Sequence, residues 1–176
     1  MYEQVMGASF NLLASEVQQF HCFAGKHTLH GRVEVHAPKS LLATLLATLL
    51  GTPRSANEGA IKFELDAQPL AESWTRHFPS KTMRSHLQLI DGQLIETLGV
   101  ARLMFELAEK EGQLTMHLRR LHFLGIPCPT WLMPRVVAEE TGRDGRLYFR
   151  VHAGVPGIGL VASYQGYLTL PACANQ

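Results

Sequence analysis

Short segments in which apolar and polar residues alternate fill most of the chain between Thr28 and Leu170. A period of two residues is typical of β-strands that bury one face. The pairs Asp91-Gly92 and Glu111-Gly112 favour tight turns between antiparallel neighbours. We predict about ten strands, near residues 29–36, 61–65, 74–78, 83–89, 94–98, 103–107, 114–124, 136–140, 147–153 and 158–170.

Helices are predicted only near the start of the chain, at residues 2–6, from Ser15 onward and at 41–50. The last of these follows Ser40, precedes Gly51 and contains six leucines and no charged residue. The leucines form one wide stripe, so we expect both sides of this helix to touch other parts of the protein. Burial against the sheet is favoured over a position on a membrane, because interfacial helices usually carry Lys or Arg on their polar face.

These elements predict an α+β fold. About ten antiparallel strands would form a strongly curved meander, with the N-terminal helices and the apolar helix packed on its concave face. A sheet this wide tends to curl because its strands twist, which gives a partial barrel. Residues 2–171 are expected to form a single domain, followed by a frayed tail at 172–176.

Composition narrows the class of protein. The 176 residues are 46% hydrophobic and 18% charged with a net charge of +1, which is typical of a globular domain and does not favour nucleic-acid binding. Three cysteines without CxxC spacing, and no recognisable signal peptide, predict a reducing, cytoplasmic location. No apolar run reaches the roughly 20 residues of a transmembrane helix.

Several polar side chains fall on strand faces that are otherwise apolar. Arg76 and Glu96 are expected to pair, directly or through neighbours, because buried charges need partners. The pattern leaves two explanations open: structural ion pairs and rim positions, or the polar groups of a ligand cavity. The apolar positions of each strand define its inner face. This assignment predicts that the following polar residues face inward, beside Trp74: Glu72, Arg76, Ser85, Glu96, Arg120, His122 and Tyr164.

Signals for catalysis or metal binding are weak. Nine histidines occur without HxH or HxxxH spacing, so neither a metal site nor a cofactor is predicted. A hydrolase or isomerase that uses His122 and Glu96 as acid and base is a minor hypothesis, since no nucleophile or oxyanion element accompanies them. The sequence therefore favours a domain without catalytic activity.

The ordered motifs of the chain, from about residue 2 to 171, resemble a bacterial domain family of unknown function. The resemblance implies a domain found alone or fused behind saccharopine-dehydrogenase-like, nucleotide-binding oxidoreductase domains, and it implies no activity. It marks Trp74, Arg76 and Glu96. The elements that carry it are Phe20-His21, Gly31-Arg32, Glu72-x-Trp74-x-Arg76-x-Phe78, Gly92-x-Leu94-x-Glu96, Gly125-Ile126-Pro127-x-Pro129-x-x-Leu132-x-Pro134, Asp144-Gly145-Arg146 and Tyr164-x-Gly166-x-Leu168.

Two functions of different classes follow. In the leading hypothesis the curved sheet encloses a cavity for a lipid-like or other hydrophobic ligand, whose carboxylate or phosphate would meet Arg76, Arg120 and His122. In the alternative, the proline-rich loop 125–134 and its Trp131 dock a nucleotide-binding oxidoreductase. The predicted partner is thus a hydrophobic small molecule or an oxidoreductase.

Overall fold

The computed structural model describes residues 1–172 and is dominated by antiparallel strands. Residues 173–176 of the predicted frayed tail lie outside the described residues. The helices are α1 (Tyr2–Met6), α2 (Ser15–His21) and α3 (Leu41–Leu50), with 3-10 helices at Gly7–Leu12 and Thr130–Leu132. The strands are β1 (Gly25–His36), β2 (Asn57–Gln68), β3 (Ala71–Phe78), β4 (Lys81–Ile90), β5 (Gln93–Leu98), β6 (Ala101–Lys110), β7 (Gln113–Phe123), β8 (Ile126–Pro127), β9 (Arg135–Arg143), β10 (Arg146–Val155) and β11 (Gly159–Thr169).

The meander closes into a barrel of ten strands. Each strand pairs with its neighbour in sequence, β7 reaches β9 past the two-residue β8, and β11 returns to β1. This last pairing runs from His30 opposite Thr169 to His36 opposite Ser163. The prediction of an open, partial barrel in an α+β fold is therefore wrong, because the sheet has no free edge between its first and last strands and the helices are few.

Two glycines make the closing seam between β1 and β11 possible. A Cβ placed on Gly31 would lie 1.7 Å from the Tyr167 carbonyl oxygen, and one on Gly166 would lie 2.1 Å from the Arg32 carbonyl oxygen. Glycine inside a strand often marks such a close approach of two backbones. The first and last strands can pair at this distance only without side chains at these two positions.

The N-terminal helices cover one end of the barrel, which we call the closed end. Helix α1 packs near β5 and β6, and α2 packs near β9 and β10. Val17 and Phe20 of α2 are buried in the core. The chain here is also tied to the strand turns, since Ala14 N donates to Gly112 O at 2.9 Å and Gly145 N donates to Glu16 Oε1 at 3.2 Å.

Helix α3 lies at the opposite, open end of the barrel. Its small face packs on β11, where Ala43 and Ala47 contact Val161. At one end of the helix, Ser40 Oγ donates to Ile158 O at 2.9 Å. At the other end, its last turn meets the β5–β6 turn, where a Cβ on Gly99 would lie 2.3 Å from Leu49 O. The helix therefore reaches across the barrel mouth.

The burial expected for α3 is wrong. Its leucine stripe faces outward, and Leu41 is 91% exposed. Only Leu46 and Leu50 turn toward the barrel interior. The physical reason is that the two alanines allow a closer approach to β11 than leucines would, so the narrow face of the helix packs and the wide apolar face does not. Within residues 1–172, no helix is long and apolar enough to cross a bilayer.

Candidate functional site

The barrel encloses a cavity of about 470 Å³ that extends from the interior to the open end. Its wall is mostly apolar and combines side chains from nearly every strand. On the inner side it reaches Phe20 and Trp74; at the mouth it is bounded by Leu46 and Leu50 of α3 and by the loop between β7 and β9. This volume is within the range of roughly 300 to 1,000 Å³ typical of small-molecule pockets.

Arg76 is the cationic group of this cavity. It is only 8% exposed, and its Nη1 donates a hydrogen bond to Ser85 Oγ at 3.0 Å. The guanidinium lies 4.7 Å from the ring centroid of Trp74 and 5.7 Å from that of Phe63. The alternation of the sequence correctly predicted that Trp74, Arg76 and Ser85 face inward. The two aromatic rings hold the guanidinium of Arg76 in place.

Arg76 forms no ion pair with a carboxylate within residues 1–172. Glu96 also lines the cavity, where it is half-buried, but it forms no direct ion pair with Arg76. The direct form of the predicted pairing is therefore wrong. The arginine retains donor groups that its single hydrogen bond to a neutral hydroxyl leaves unused.

Glu72 lies on the same face of β3 and is buried. Its Oε2 accepts a hydrogen bond from Trp74 Nε1 at 2.8 Å, which holds the indole against the guanidinium of Arg76. Burial raises the pKa of the Glu72 carboxyl, although the nearby His21 charge and the indole hydrogen bond oppose the shift. Glu72 thus positions Trp74 and does not itself line the cavity.

A buried pair between His21 of α2 and Glu140 of β9 closes the inner side of the cavity. The distance from His21 Nε2 to Glu140 Oε2 is 2.6 Å, and Glu140 lines the cavity. The Tyr2 ring stacks on His21 with 3.6 Å between centroids. Sequence reasoning missed this pair; the available signal was the inward alternation of Val136, Ala138 and Glu140 along one strand.

Tyr164 lines the cavity from β11, as its alternation predicted. The side chain is buried between aromatic neighbours, with ring centroids 5.2 Å from Phe78 and 6.2 Å from Phe149. Burial raises the pKa of its hydroxyl above the ordinary value of 10.0, while the Arg76 charge acts in the opposite direction. The neutral hydroxyl can therefore donate a hydrogen bond to a molecule in the cavity.

Arg120 and His122 do not line the cavity, and their predicted inward orientation is wrong. On β6, Phe105 pairs with Leu118 and Met104 pairs with Arg120, so one extra residue of β7 forms a β-bulge. The bulge exchanges the two faces of the strand. Arg120 is consequently exposed, and Leu121 and Phe123 face inward instead. Glu96 and His122 lie on opposite faces, which removes the acid–base pair of the hydrolase or isomerase hypothesis.

A family model described as a domain of unknown function, DUF4166, matches residues 13–168. The chain belongs to this family. No curated protein matches the sequence. Among solved structures, a similar chain is that described as the crystal structure of Rv2717c from M. tuberculosis, with 10% sequence identity, 90% of this chain and 99% of that chain covered, and a TM-score of 0.49.

The motifs identified from the sequence lie in three different parts of this DUF4166 domain. Trp74 and Arg76 lie in the cavity, Gly166 lies at the closing seam, and residues 125–134 bound the open end. Within residues 1–172, no group of three or more His, Cys, Asp or Glu side chains is arranged to hold a metal ion. The chemistry that these residues can supply is recognition of an apolar molecule and of an anion.

Proposed function

We propose that this domain binds a lipid-like molecule with an apolar body and an anionic headgroup, such as a carboxylate. The observation that carries the proposal is a buried arginine that forms no ion pair within residues 1–172, in a mostly apolar cavity whose other charged lining residues are Glu96 and Glu140. Arg76 would contact the headgroup, Tyr164 would donate a further hydrogen bond, and the apolar body would extend toward the open end.

Electrostatics support a ligand role for Arg76 over a stabilising one. A buried charge without a partner costs free energy, and proteins retain such groups where a function needs them. The stacking of its guanidinium on Trp74 and its hydrogen bond to Ser85 hold it in one orientation before a ligand arrives. Preorganisation of this kind reduces the entropy lost on binding.

Competition of dodecanoate and dodecanol with a fluorescent fatty-acid analogue tests the proposal. The wild type is expected to prefer dodecanoate, and Arg76→Met is expected to weaken dodecanoate binding by roughly tenfold to hundredfold, because a charge-assisted hydrogen bond is lost. Binding of dodecanol should change little. Arg84→Met, which removes an exposed arginine from the neighbouring strand, is the matched control. Equal affinity of wild type and Arg76→Met for dodecanoate would contradict the proposal.

Substitution of Glu96 gives a second test of ligand binding in the same cavity. Its carboxylate lines the wall, forms no ion pair in the part of the chain that the structure describes, and would repel an anionic headgroup. Glu96→Gln is therefore expected to tighten dodecanoate binding and to leave dodecanol binding unchanged. A weaker affinity for dodecanoate would indicate that Glu96 instead accepts a hydrogen bond from the ligand.

A second candidate function is an accessory domain that docks a nucleotide-binding oxidoreductase. It is supported by Trp131, which is 77% exposed at the open end, since exposed tryptophans are enriched at protein interfaces. The saccharopine-dehydrogenase-like partner implied by the family resemblance would be the binding protein. Co-purification with such an enzyme, lost in Trp131→Ala and retained in Arg76→Met, would favour this function over the first.

A further inference from the structure

Large exposed hydrophobic residues are concentrated at the open end of the barrel. Of the nine such residues within 1–172, seven belong to α3 or to the loop between β7 and β9, and only Leu12 and Leu70 lie at the closed end. We call the seven the apolar rim: Leu41, Leu42, Leu45, Leu49, Leu124, Ile126 and Trp131. Large exposed apolar residues that are concentrated at one end of a domain indicate an interaction site.

The two ends of the barrel also differ in charge. The connections at the open end (37–56, 79–80, 99–100, 124–134 and 156–158) contain Lys39 and Arg54 and no acidic residue. The connections at the closed end (1–24, 69–70, 91–92, 111–112 and 144–145) contain no Lys or Arg and these acids: Glu3, Glu16, Asp91, Glu111 and Asp144. The connections are thus positive around the apolar rim and negative at the opposite end, where the exposed strand-end cations Lys26, Lys110, Arg143 and Arg146 offset part of the negative charge.

Strand residues beside the open end add to the positive side. Within two residues of the strand ends there, Lys81, Arg102 and Arg135 are exposed cations. Glu58 is the one acidic residue in these positions, and its Oε1 lies 3.4 Å from Arg32 Nη2 in an exposed ion pair. The apolar rim is therefore surrounded by five cations that no neighbouring carboxylate of the open end offsets.

From this arrangement we infer that the open end docks on the surface of a bilayer that contains anionic phospholipids. The leucine face of α3 and Trp131 would enter the interface, where tryptophan and exposed leucine faces are favoured, and the cations would meet lipid headgroups. A protein partner or a second copy could also cover apolar surface, but the excess of cations around the apolar rim favours an anionic lipid surface over either. The inference goes beyond ligand binding, because docking needs the surface and not an occupied cavity.

Docking through α3 would place the bilayer next to the cavity. The helix presents Leu41 and Leu45 outward, while Leu46 and Leu50 on its other side line the cavity. A bilayer that contacts the outer leucines would therefore lie directly against the cavity mouth. An apolar molecule could pass between the two without crossing water.

Vesicle sedimentation tests the inference. The wild type is expected to sediment with vesicles of mixed phosphatidylcholine and phosphatidylglycerol, and less with pure phosphatidylcholine. Leu45→Gln should weaken binding about tenfold, because it removes one leucine from the interface. Leu70→Gln is the matched control, since Leu70 is 54% exposed at the closed end and Leu45 is 55% exposed at the open end. Equal effects of the two substitutions would overturn the inference.

The cations and Trp131 give two further readouts. Lys39→Gln and Arg54→Gln should each weaken binding to the anionic vesicles about fivefold, and Lys110→Gln at the closed end should not. Vesicles should shift the tryptophan emission to shorter wavelength in the wild type, and this shift should be absent in Trp131→Phe. High salt should reduce binding.

Three results would contradict docking on lipid. The first is no binding to anionic vesicles by the folded wild type. The second is equal binding to both vesicle types. The third is a dimer in solution that Leu45→Gln dissociates, which would identify the apolar rim as an interface between copies. None of these results depends on dodecanoate binding, so failure of docking and failure of the ligand proposal can be told apart.

Discussion

The two ends of the barrel use apolar residues in opposite ways. At the closed end, α2 buries Val17 and Phe20 in the core, and the Ala14 backbone amide and the Glu16 carboxylate are hydrogen-bonded to the turns of the strands. At the open end, α3 buries two alanines and exposes four leucines. Burial of apolar surface is the main stabilising term in folding, so we expect the closed end to hold the barrel together and the open end to contribute little.

We therefore expect the residues that stabilise the fold to lie toward the closed end of the barrel and those that serve its function to lie toward the open end. The cavity lies between the ends, and its polar groups divide in the same way. His21 and Glu140 are paired on the closed-end side, whereas Arg76 forms no ion pair within residues 1–172 and lines the space that leads to the mouth. The paired groups belong to the structure, and the unpaired group is the candidate for ligand recognition.

Truncation of Phe20 should have the largest effect on stability. Phe20→Ala removes a buried ring that packs against Phe63 and Trp74, and we expect a loss of about 3 to 5 kcal/mol in the free energy of unfolding. Trp131→Ala at the open end should change it by less than about 0.5 kcal/mol. Urea unfolding measures both. Similar losses for the two variants would contradict the division between the ends.

Removal of one partner of the His21–Glu140 pair should follow in size. Glu140→Ala leaves the buried imidazole without its carboxylate, and we expect a loss of about 3 kcal/mol. The double variant with His21→Ala should be less destabilised than the sum of the single variants, because the two side chains interact. Additive losses in the double-mutant cycle would show that the pair contributes no coupling.

The closure of the barrel explains which parts of the fold could be predicted from the sequence. The alternation of apolar residues and the Asp-Gly and Glu-Gly turns are local signals, and the strands follow them. Closure depends on β1 meeting β11 at the far end of the chain, which no local period encodes. The glycines inside those strands, Gly31 and Gly166, were the available signal, and their meaning is visible only when the two backbones are placed together.

The inward orientation of the candidate residues was predicted correctly where strands are regular and wrongly where they are not. Trp74, Arg76 and Tyr164 lie on strand segments whose alternation is unbroken, and they face the barrel interior as predicted. Arg120 and His122 follow the bulge in β7, which reverses every later side chain. A bulge has no reliable local pattern, so the sequence alone could not show the reversal.

Replacement of Arg76 should have a small effect on stability in contrast to Glu140. Because no carboxylate of the described residues 1–172 pairs with Arg76, we expect Arg76→Met to change the free energy of unfolding by less than about 1 kcal/mol, or to stabilise the empty protein by up to about 2 kcal/mol. Urea unfolding of delipidated protein is the measurement. A loss above about 3 kcal/mol would assign Arg76 to the structure rather than to the ligand.

The pH dependence of stability should show the smallest effect, through Glu72. Burial raises the pKa of this carboxyl in the folded protein above its ordinary value of 4.5, so the folded state binds the proton more tightly than the unfolded state. The contribution of Glu72 to stability is therefore full below that value and declines as the pH rises through the folded pKa. Relative to Glu72→Gln, the wild type should lose stability as the pH rises. If the urea midpoints of the wild type and Glu72→Gln changed in parallel as the pH rises above 4.5, the expectation would be contradicted.

The measurement that tests the ligand proposal most directly is native mass spectrometry of the wild type and Arg76→Met purified in parallel. The wild type should carry additional mass that organic solvent releases as an acidic, apolar molecule, and Arg76→Met should carry much less. A wild-type spectrum that shows only the mass of the polypeptide, both as purified and after incubation with dodecanoate, would contradict the account.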